Sequence, residues 1–224
     1  MFSRLIGRVC KAILDQIVVL VSALKINPNF LTLIGFVITL YASICLARGE
    51  FIKAGIAIIF SGIFDMLDGR VARITQSVTK FGAFFDSVLD RYSDMAIFVG
   101  LMIHYSKNQR MLYLILSGIV MMGAVMTSYT RARAESLIPL CKVGFMERPE
   151  RIVLLIIGGL ANRMEAVLWI LAVLGNWTVI NRIYFTWKEL PKPQRNLQPD
   201  EAAIPEYTRP AEARLDSATS STIH

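Results

Sequence analysis

The chain contains apolar runs at about 28–47, 52–72, 81–104, 111–130, 152–162 and 165–187. Each of the first four is long enough to cross a hydrocarbon core of about 30 Å, which takes roughly 20 helical residues. In lipid every backbone N–H and C=O must be satisfied within the protein, which leaves helices and closed barrels, and runs this long and continuous fit helices. The fifth run is short unless it extends back through Pro149. The interruption "ANRMEA" predicts a tight turn at Asn162 and Arg163 before the sixth. The pattern predicts an all-α integral membrane protein with six transmembrane helices, five being the alternative count. Composition agrees, since 54% of the 224 residues are hydrophobic and 18% are charged. Soluble domains average about 45–50% and about 25%.

The flanks differ in character. Phe2, Leu5, Ile6, Val9 and Ile13 recur on one helical face, while Arg4, Arg8, Lys11 and Asp15 recur on another. This predicts an amphipathic interfacial helix over residues 1–24, lying in the headgroup region. Asp15 and Gln16 break the apolar run and no small-residue cleavage site follows, which argues against a signal peptide. Residues 25–190 form the membrane domain, and 191–224, rich in Pro, Ala, Ser, Thr and charge, are predicted to be a disordered tail. Six spans put both termini on one side of a multi-pass protein, together with 19 of the 24 Lys and Arg residues. The positive-inside rule makes that side cytoplasmic, in a prokaryotic plasma membrane. The net charge of +7 suits membrane lipid or a phosphorylated ligand. The basic residues flank the spans and form no soluble stripe, so no nucleic-acid partner is expected. Cys10, Cys45 and Cys141 lack metal or redox spacing and are expected to be small apolar residues.

Against this background, the stretch "FDMLDGRVARITQSVTKFGAFFDSVLDRYSD" at 64–94 gathers negative charge. Asp65 and Asp68 are three apart at the end of the second run, and Asp86 and Asp90 are four apart at the start of the third. Each pair shares a helix face, and the intervening residues let the chain turn and bring the faces together. A charged Asp costs about 2.5–3.5 kcal/mol at a bilayer centre, less near its edge, and mutual repulsion adds to that. A cation must sit among the four, and carboxylate oxygens at this density suit Mg²⁺, Mn²⁺ or Ca²⁺. Pairing with Arg70, Arg73 and Arg91 is the structural alternative, and it leaves one charge over. Asp94 is expected to pair with Arg91. Gly62, Asp65, Gly69 and Ala72 fall on one small-residue stripe. Such a face admits a bulky ligand or a closely packed helix, with packing and ligand roles equally open for Gly55 and Gly62.

The run Asp65-x-x-Asp68-Gly69-x-x-Ala72-Arg73, eight residues, Gly82-x-x-x-Asp86-x-x-x-Asp90 resembles the signature of the CDP-alcohol phosphatidyltransferases. The resemblance covers about residues 25–190 and implies six membrane helices, a homodimer, and Mg²⁺ or Mn²⁺ as cofactor. It implies transfer of a phosphatidyl group from a CDP-linked lipid, such as CDP-diacylglycerol, to an alcohol with release of CMP. By the same resemblance Asp65, Asp68 and Asp86 bind metal on the pyrophosphate, and Asp90 is the general base that also touches a metal ion. Arg73 would hold a phosphate oxygen, while Gly69, Ala72 and Gly82 leave room for cytidine. Asn29 and Thr32 of "NPNFLT" would line the nucleotide pocket, with Asn27 and Pro28 suited to starting a helix.

Three later elements, "SYTRARAESL", "GFMERPER" and "NWTVINR", put arginines on the same side as the aspartates. Anchoring and pairing with Glu135, Glu147 and Glu150 would explain some of them, but poorly explain Arg182 inside an apolar helix. Within the family these elements are similar to the phosphatidylinositol phosphate synthases and their archaeal ether-lipid counterparts. That similarity implies that Ser128, Arg131, Arg151 and Arg182 bind the phosphate of a phosphorylated polyol acceptor, inositol 1-phosphate. Glycerol 3-phosphate is the competing acceptor. A reading of another class is a cation transporter lined by aspartates, which would favour acidic residues near mid-membrane on broken helices.

Overall fold

The structure, a computed structural model, describes residues 27–190, so the predicted interfacial helix, Cys10 and the tail lie outside the described residues. The described residues form six helices and no strand, in agreement with the all-α expectation. They are α1 (Pro28–Ala47), α2 (Phe51–Ile74), α3 (Lys80–Lys107), α4 (Met111–Glu135), α5 (Arg148–Leu160) and α6 (Met164–Glu189). Of these α1, α4 and α6 are long and apolar enough to cross a membrane. With 24 and 28 residues, α2 and α3 have the length but carry the aspartates near one end. The 13 residues of α5 make about 20 Å of helix, even though it starts at Arg148 and includes Pro149.

Local chemistry sets the ends. Asn27 caps α1 by accepting the N–H of Asn29 at 3.0 Å, and Pro28 occupies the first turn, where a missing N–H costs nothing. Thr79 caps α3 by accepting from the N–H of Gly82 at 2.9 Å. Residues 48–50, 108–110 and 161–163 make short connections at one end of the bundle, with Asn162 at φ +52° forming the turn the sequence predicts. The longer connections 75–79 and 136–147 lie at the other end, with the aspartates.

The helix order follows from which faces are apolar. Helix α1 packs on α2 and α3, α4 on α3 and α6, and α5 on α2. Phe98, Leu101 and Tyr105 of α3 are buried with Leu46, Ile58, Leu155 and Leu168. Outward faces are apolar as well, including Val37 and Tyr41 on α1, Leu112 and Met122 on α4, and Val173 and Trp177 on α6. Such a surface suits contact with lipid, where exposed apolar area carries no penalty. Hydroxyls stitch the helices where α1 crosses its neighbours. Thr39 Oγ1 lies 2.6 Å from Ser61 Oγ, Ser61 donates to the Gly35 carbonyl at 3.0 Å, and Ser43 donates to the Ala96 carbonyl. At Gly55 a Cβ would press on Leu160 and Ile156 of α5 at 3.2–3.4 Å, so this glycine serves packing. A Cβ at Gly62 would meet nothing within 4 Å.

Candidate active site

The last turns of α2 and the first turns of α3 meet across the 75–79 connection. One carboxylate oxygen from each of Asp65, Asp68 and Asp86 lies within 4.8 Å of the others. Asp68 is 6% exposed, while Asp65 and Asp86 are half-buried. Asp68 Oδ2 and Asp86 Oδ1 are buried and have no hydrogen-bond partner. Buried acceptors normally find a donor, and three carboxylates this close repel one another. A hard divalent cation satisfies both demands, and an all-oxygen donor set fits Mg²⁺ or Mn²⁺.

Asp90, one turn beyond Asp86, stands outside this trio. Its Oδ1 accepts from Arg148 Nη2 at 2.7 Å, and its Oδ2 is 3.6 Å from Arg91 Nη1. Arg148 also donates through Nη1 to Asp65 Oδ2 at 2.9 Å, and so bridges the two aspartate pairs. Sequence reasoning did not place Arg148 in the site. The signal lay in "ERPER", where Arg148 and Arg151 share a helix face, but only the approach of α5 shows which aspartates each one reaches.

Beside the trio opens a cavity of about 310 Å³. Asn29, Thr32, Gly69, Ala72, Arg73 and Gly82 all line it, together with Asp68 and Asp86. The fold thus gathers every residue predicted to contact the CDP-linked lipid. The two glycines act differently. A Cβ on Gly82 would press on Thr79 Oγ1 and Asn29 Oδ1 at 3.0 and 3.1 Å, so this glycine lets the starts of α1 and α3 approach. A Cβ on Gly69 would meet only Arg73 Nη2, at 3.9 Å, which leaves its face open towards the cavity.

The basic residues form a second cluster. Arg182, 2% exposed, donates through Nε to the Val143 carbonyl at 2.8 Å and through Nη1 to the Thr127 carbonyl. Its Nη2 reaches Glu147 Oε1 at 2.8 Å, and Arg131 Nη1 reaches the same oxygen at 3.2 Å. Glu147 therefore accounts for Arg182 better than the sequence suggested, because the connection before α5 folds back over α6. Arg131 also donates to Glu135 at 3.1 Å, and Ser128 is half-buried nearby on α4. Arg151 is 2% exposed and pairs with Asp94 at 2.5 Å across the α3–α5 contact. This corrects the expected Asp94–Arg91 pair. Arg91 instead turns back one helical turn and donates to the Ser87 carbonyl at 2.8 Å.

A model of the CDP-alcohol phosphatidyltransferase family matches residues 25–187. The chain belongs to this family. Among its relatives, the archaetidylinositol phosphate synthase of Methanothermobacter thermautotrophicus is 37% identical over 174 residues, which are 75% of this chain and 86% of that protein. The archaetidylinositol phosphate synthase of Pyrococcus horikoshii is 38% identical over 178 residues, 79% and 92% of the two chains. A crystal structure of Mycobacterium tuberculosis phosphatidylinositol phosphate synthase with CDP-DAG bound superimposes with a TM-score of 0.75 at 27% identity, covering 84% of this chain and 99% of that one. The same enzyme has been crystallised with manganese and citrate. As a CDP-alcohol phosphatidyltransferase with three helices able to cross a bilayer, the chain is an integral membrane enzyme.

Proposed function

We propose that this CDP-alcohol phosphatidyltransferase transfers the phosphatidyl group of CDP-diacylglycerol, or of a similar CDP-linked lipid, to a hydroxyl of inositol 1-phosphate and releases CMP. The observation that carries this reading is one of position. Three carboxylates lie together, two of them, Asp68 and Asp86, with unpartnered buried oxygens beside a cavity of about 310 Å³, and a cluster of arginines joins the trio through Arg148 and its neighbour Glu147. The relatives named for archaetidylinositol phosphate and phosphatidylinositol phosphate synthesis support the acceptor. An aspartate-lined cation path fits less well, because the acidic residues sit at one end of the bundle against Arg148.

Each residue has a task in that reaction. Asp65, Asp68 and Asp86 would hold a Mg²⁺ or Mn²⁺ ion, which would supply neutralisation of the pyrophosphate charge and polarisation of its P–O bonds. Asn29 and Thr32 supply polar contacts to the nucleotide, and Gly69, Ala72 and Gly82 keep space for it. Arg73 holds a phosphate oxygen with its planar fork. Asp90 borders the metal set and takes the proton of the acceptor hydroxyl as that oxygen bonds to the lipid phosphorus. The pyrophosphate P–O bond breaks and CMP leaves. Ser128, Arg131 and Arg182 face the acceptor phosphate with Arg148, while Arg151, buried against Asp94, holds α5 behind them.

The membrane arrangement follows from charge. Six helices cross the bilayer within residues 25–190, the catalytic domain. Both termini and the active site face the cytoplasm of a prokaryotic cell, since the aspartate end also carries most of the Lys and Arg. The assignment to a homodimer rests on the family resemblance. The reaction is tested by CMP release from CDP-diacylglycerol by purified protein with Mg²⁺ or Mn²⁺, in parallel with inositol 1-phosphate, inositol, glycerol 3-phosphate and serine. Turnover with inositol 1-phosphate alone is expected. Turnover with glycerol 3-phosphate alone would keep the chemistry and replace the acceptor.

A further inference from the structure

Two arginines converge on a single carboxylate oxygen in the basic cluster. Arg182 cannot leave: its side chain is 3% exposed, and the carbonyls of Val143 and Thr127 fix two of its three nitrogens. Only Nη2 remains, and it points at Glu147 Oε1. Arg131 Nη1 reaches that oxygen as well. Glu147 is held at the surface. Its side chain is 38% exposed, and at the N-cap of α5 it also accepts the backbone N–H of Glu150 in a capping box. Glu150 accepts the Glu147 N–H at 3.1 Å, so the first turn keeps one capping bond whatever the Glu147 side chain does.

We propose that Glu147 competes with the acceptor phosphate for Arg131 and Arg182, and thereby selects for acceptors that carry a phosphate. The inference rests on the reading of these two arginines as the acceptor-phosphate seat. Glu147 offers one charge to two cations, of which Arg131 also meets Glu135. A phosphate monoester brings about −1.5 to −2 charges and three acceptor oxygens, enough to engage each guanidinium separately. It can displace Glu147 into the solvent that side chain already touches. A neutral polyol has no charge with which to do so. The carboxylate of a free amino acid matches Glu147 only in kind, and must compete with a group tethered at an effective concentration in the millimolar range. Glu147 therefore weakens binding of the correct acceptor somewhat and that of incorrect ones much more, a selection by opposition.

The test uses the purified full-length protein and its Glu147→Gln variant, which keeps the shape and hydrogen-bonding capacity but removes the charge. Inorganic phosphate is titrated with the melting temperature as readout, and the acceptor KM is read from CMP release. Phosphate binding should tighten and KM should fall about fivefold in Glu147→Gln, the factor that corresponds to one half-exposed ion pair. Glu147→Asp keeps a good helix cap but withdraws the carboxylate from the arginines, and should shift both readings the same way. Arg182→Gln should abolish phosphate binding. Equal or weaker phosphate binding in Glu147→Gln would overturn the proposal, because Glu147 would then be building the seat. Phosphate binding to neither protein would overturn it too. Tighter phosphate binding without turnover on inositol 1-phosphate would keep the competition and discard only the acceptor assignment.

Discussion

The two charged clusters at one end of the bundle are built on opposite terms. In the aspartate cluster, Asp65, Asp68 and Asp86 crowd together while buried oxygens of Asp68 and Asp86 have no donor. In the arginine cluster, Arg131 and Arg182 meet Glu147, Arg148 meets Asp65 and Asp90, and Arg151 meets Asp94. Surplus like charge in a low-dielectric setting is stable only with a counter-ion, so the first cluster calls for a cation. The second is already neutralised, so an anionic ligand must exchange for a protein carboxylate there. The acidic half of the site is completed by binding, and the basic half is rearranged by it.

The comparison breaks most readily at the acidic half. Asp68→Asn and Asp86→Asn should each slow CMP release about 10³-fold, since metal stabilisation of the transition state amounts to several kcal/mol. Asp90→Asn should lose about 10²–10⁴-fold, the range of a general base, while still binding Mn²⁺. Wild-type turnover in either trio variant would remove the metal from the account. On the basic side the larger effect is on stability. Arg151→Met should destabilise the protein by about 3–5 kcal/mol in a detergent melt, because it strands Asp94 in the interior. The double variant Asp94→Leu with Arg151→Met should recover much of that, whereas an equal or deeper loss would show that the pair does more than fix α5.

The glycines sharpen the contrast between binding and packing. Gly69→Val should raise the KM for the CDP-linked lipid with little change in melting. Gly55→Val should instead lower stability by about 1–3 kcal/mol through overpacking against α5. The smallest effect belongs at the far end of the bundle, where Arg110 pairs with Glu165 in a half-exposed setting. Glu165→Gln should cost less than about 1 kcal/mol and leave turnover unchanged. A large loss of activity there would mean that the two ends are coupled.

Much of this was legible in the sequence wherever the relevant spacing lies within one helix. The runs at 28–47 and 52–72 became α1 and α2 within a few residues, Asn162 made the turn, and the i, i+3 and i, i+4 aspartates came to one end. What spacing cannot supply is the facing of one helix on another. Arg91 lies three residues before Asp94, and local pairing looked natural. Side chains on a helix lean towards its N-terminus, however, so Arg91 reaches back to Ser87, and Asp94 is left for α5. The contacts of Arg148 and the pairing of Arg182 with Glu147 escaped for the same reason, since those partners are 35 to 83 residues apart in the chain. The glycine roles were also ambiguous, because a stripe of small residues looks the same whether it faces a helix or a cavity.

Direct Mn²⁺ binding to the purified protein, compared among wild type, Asp86→Asn and Arg182→Gln, tests the central claim most closely. The account predicts binding by the wild type, its loss in Asp86→Asn, and its retention in Arg182→Gln. Binding that survives in Asp86→Asn but fails in Arg182→Gln would place the cation elsewhere and contradict the assignment of the two clusters.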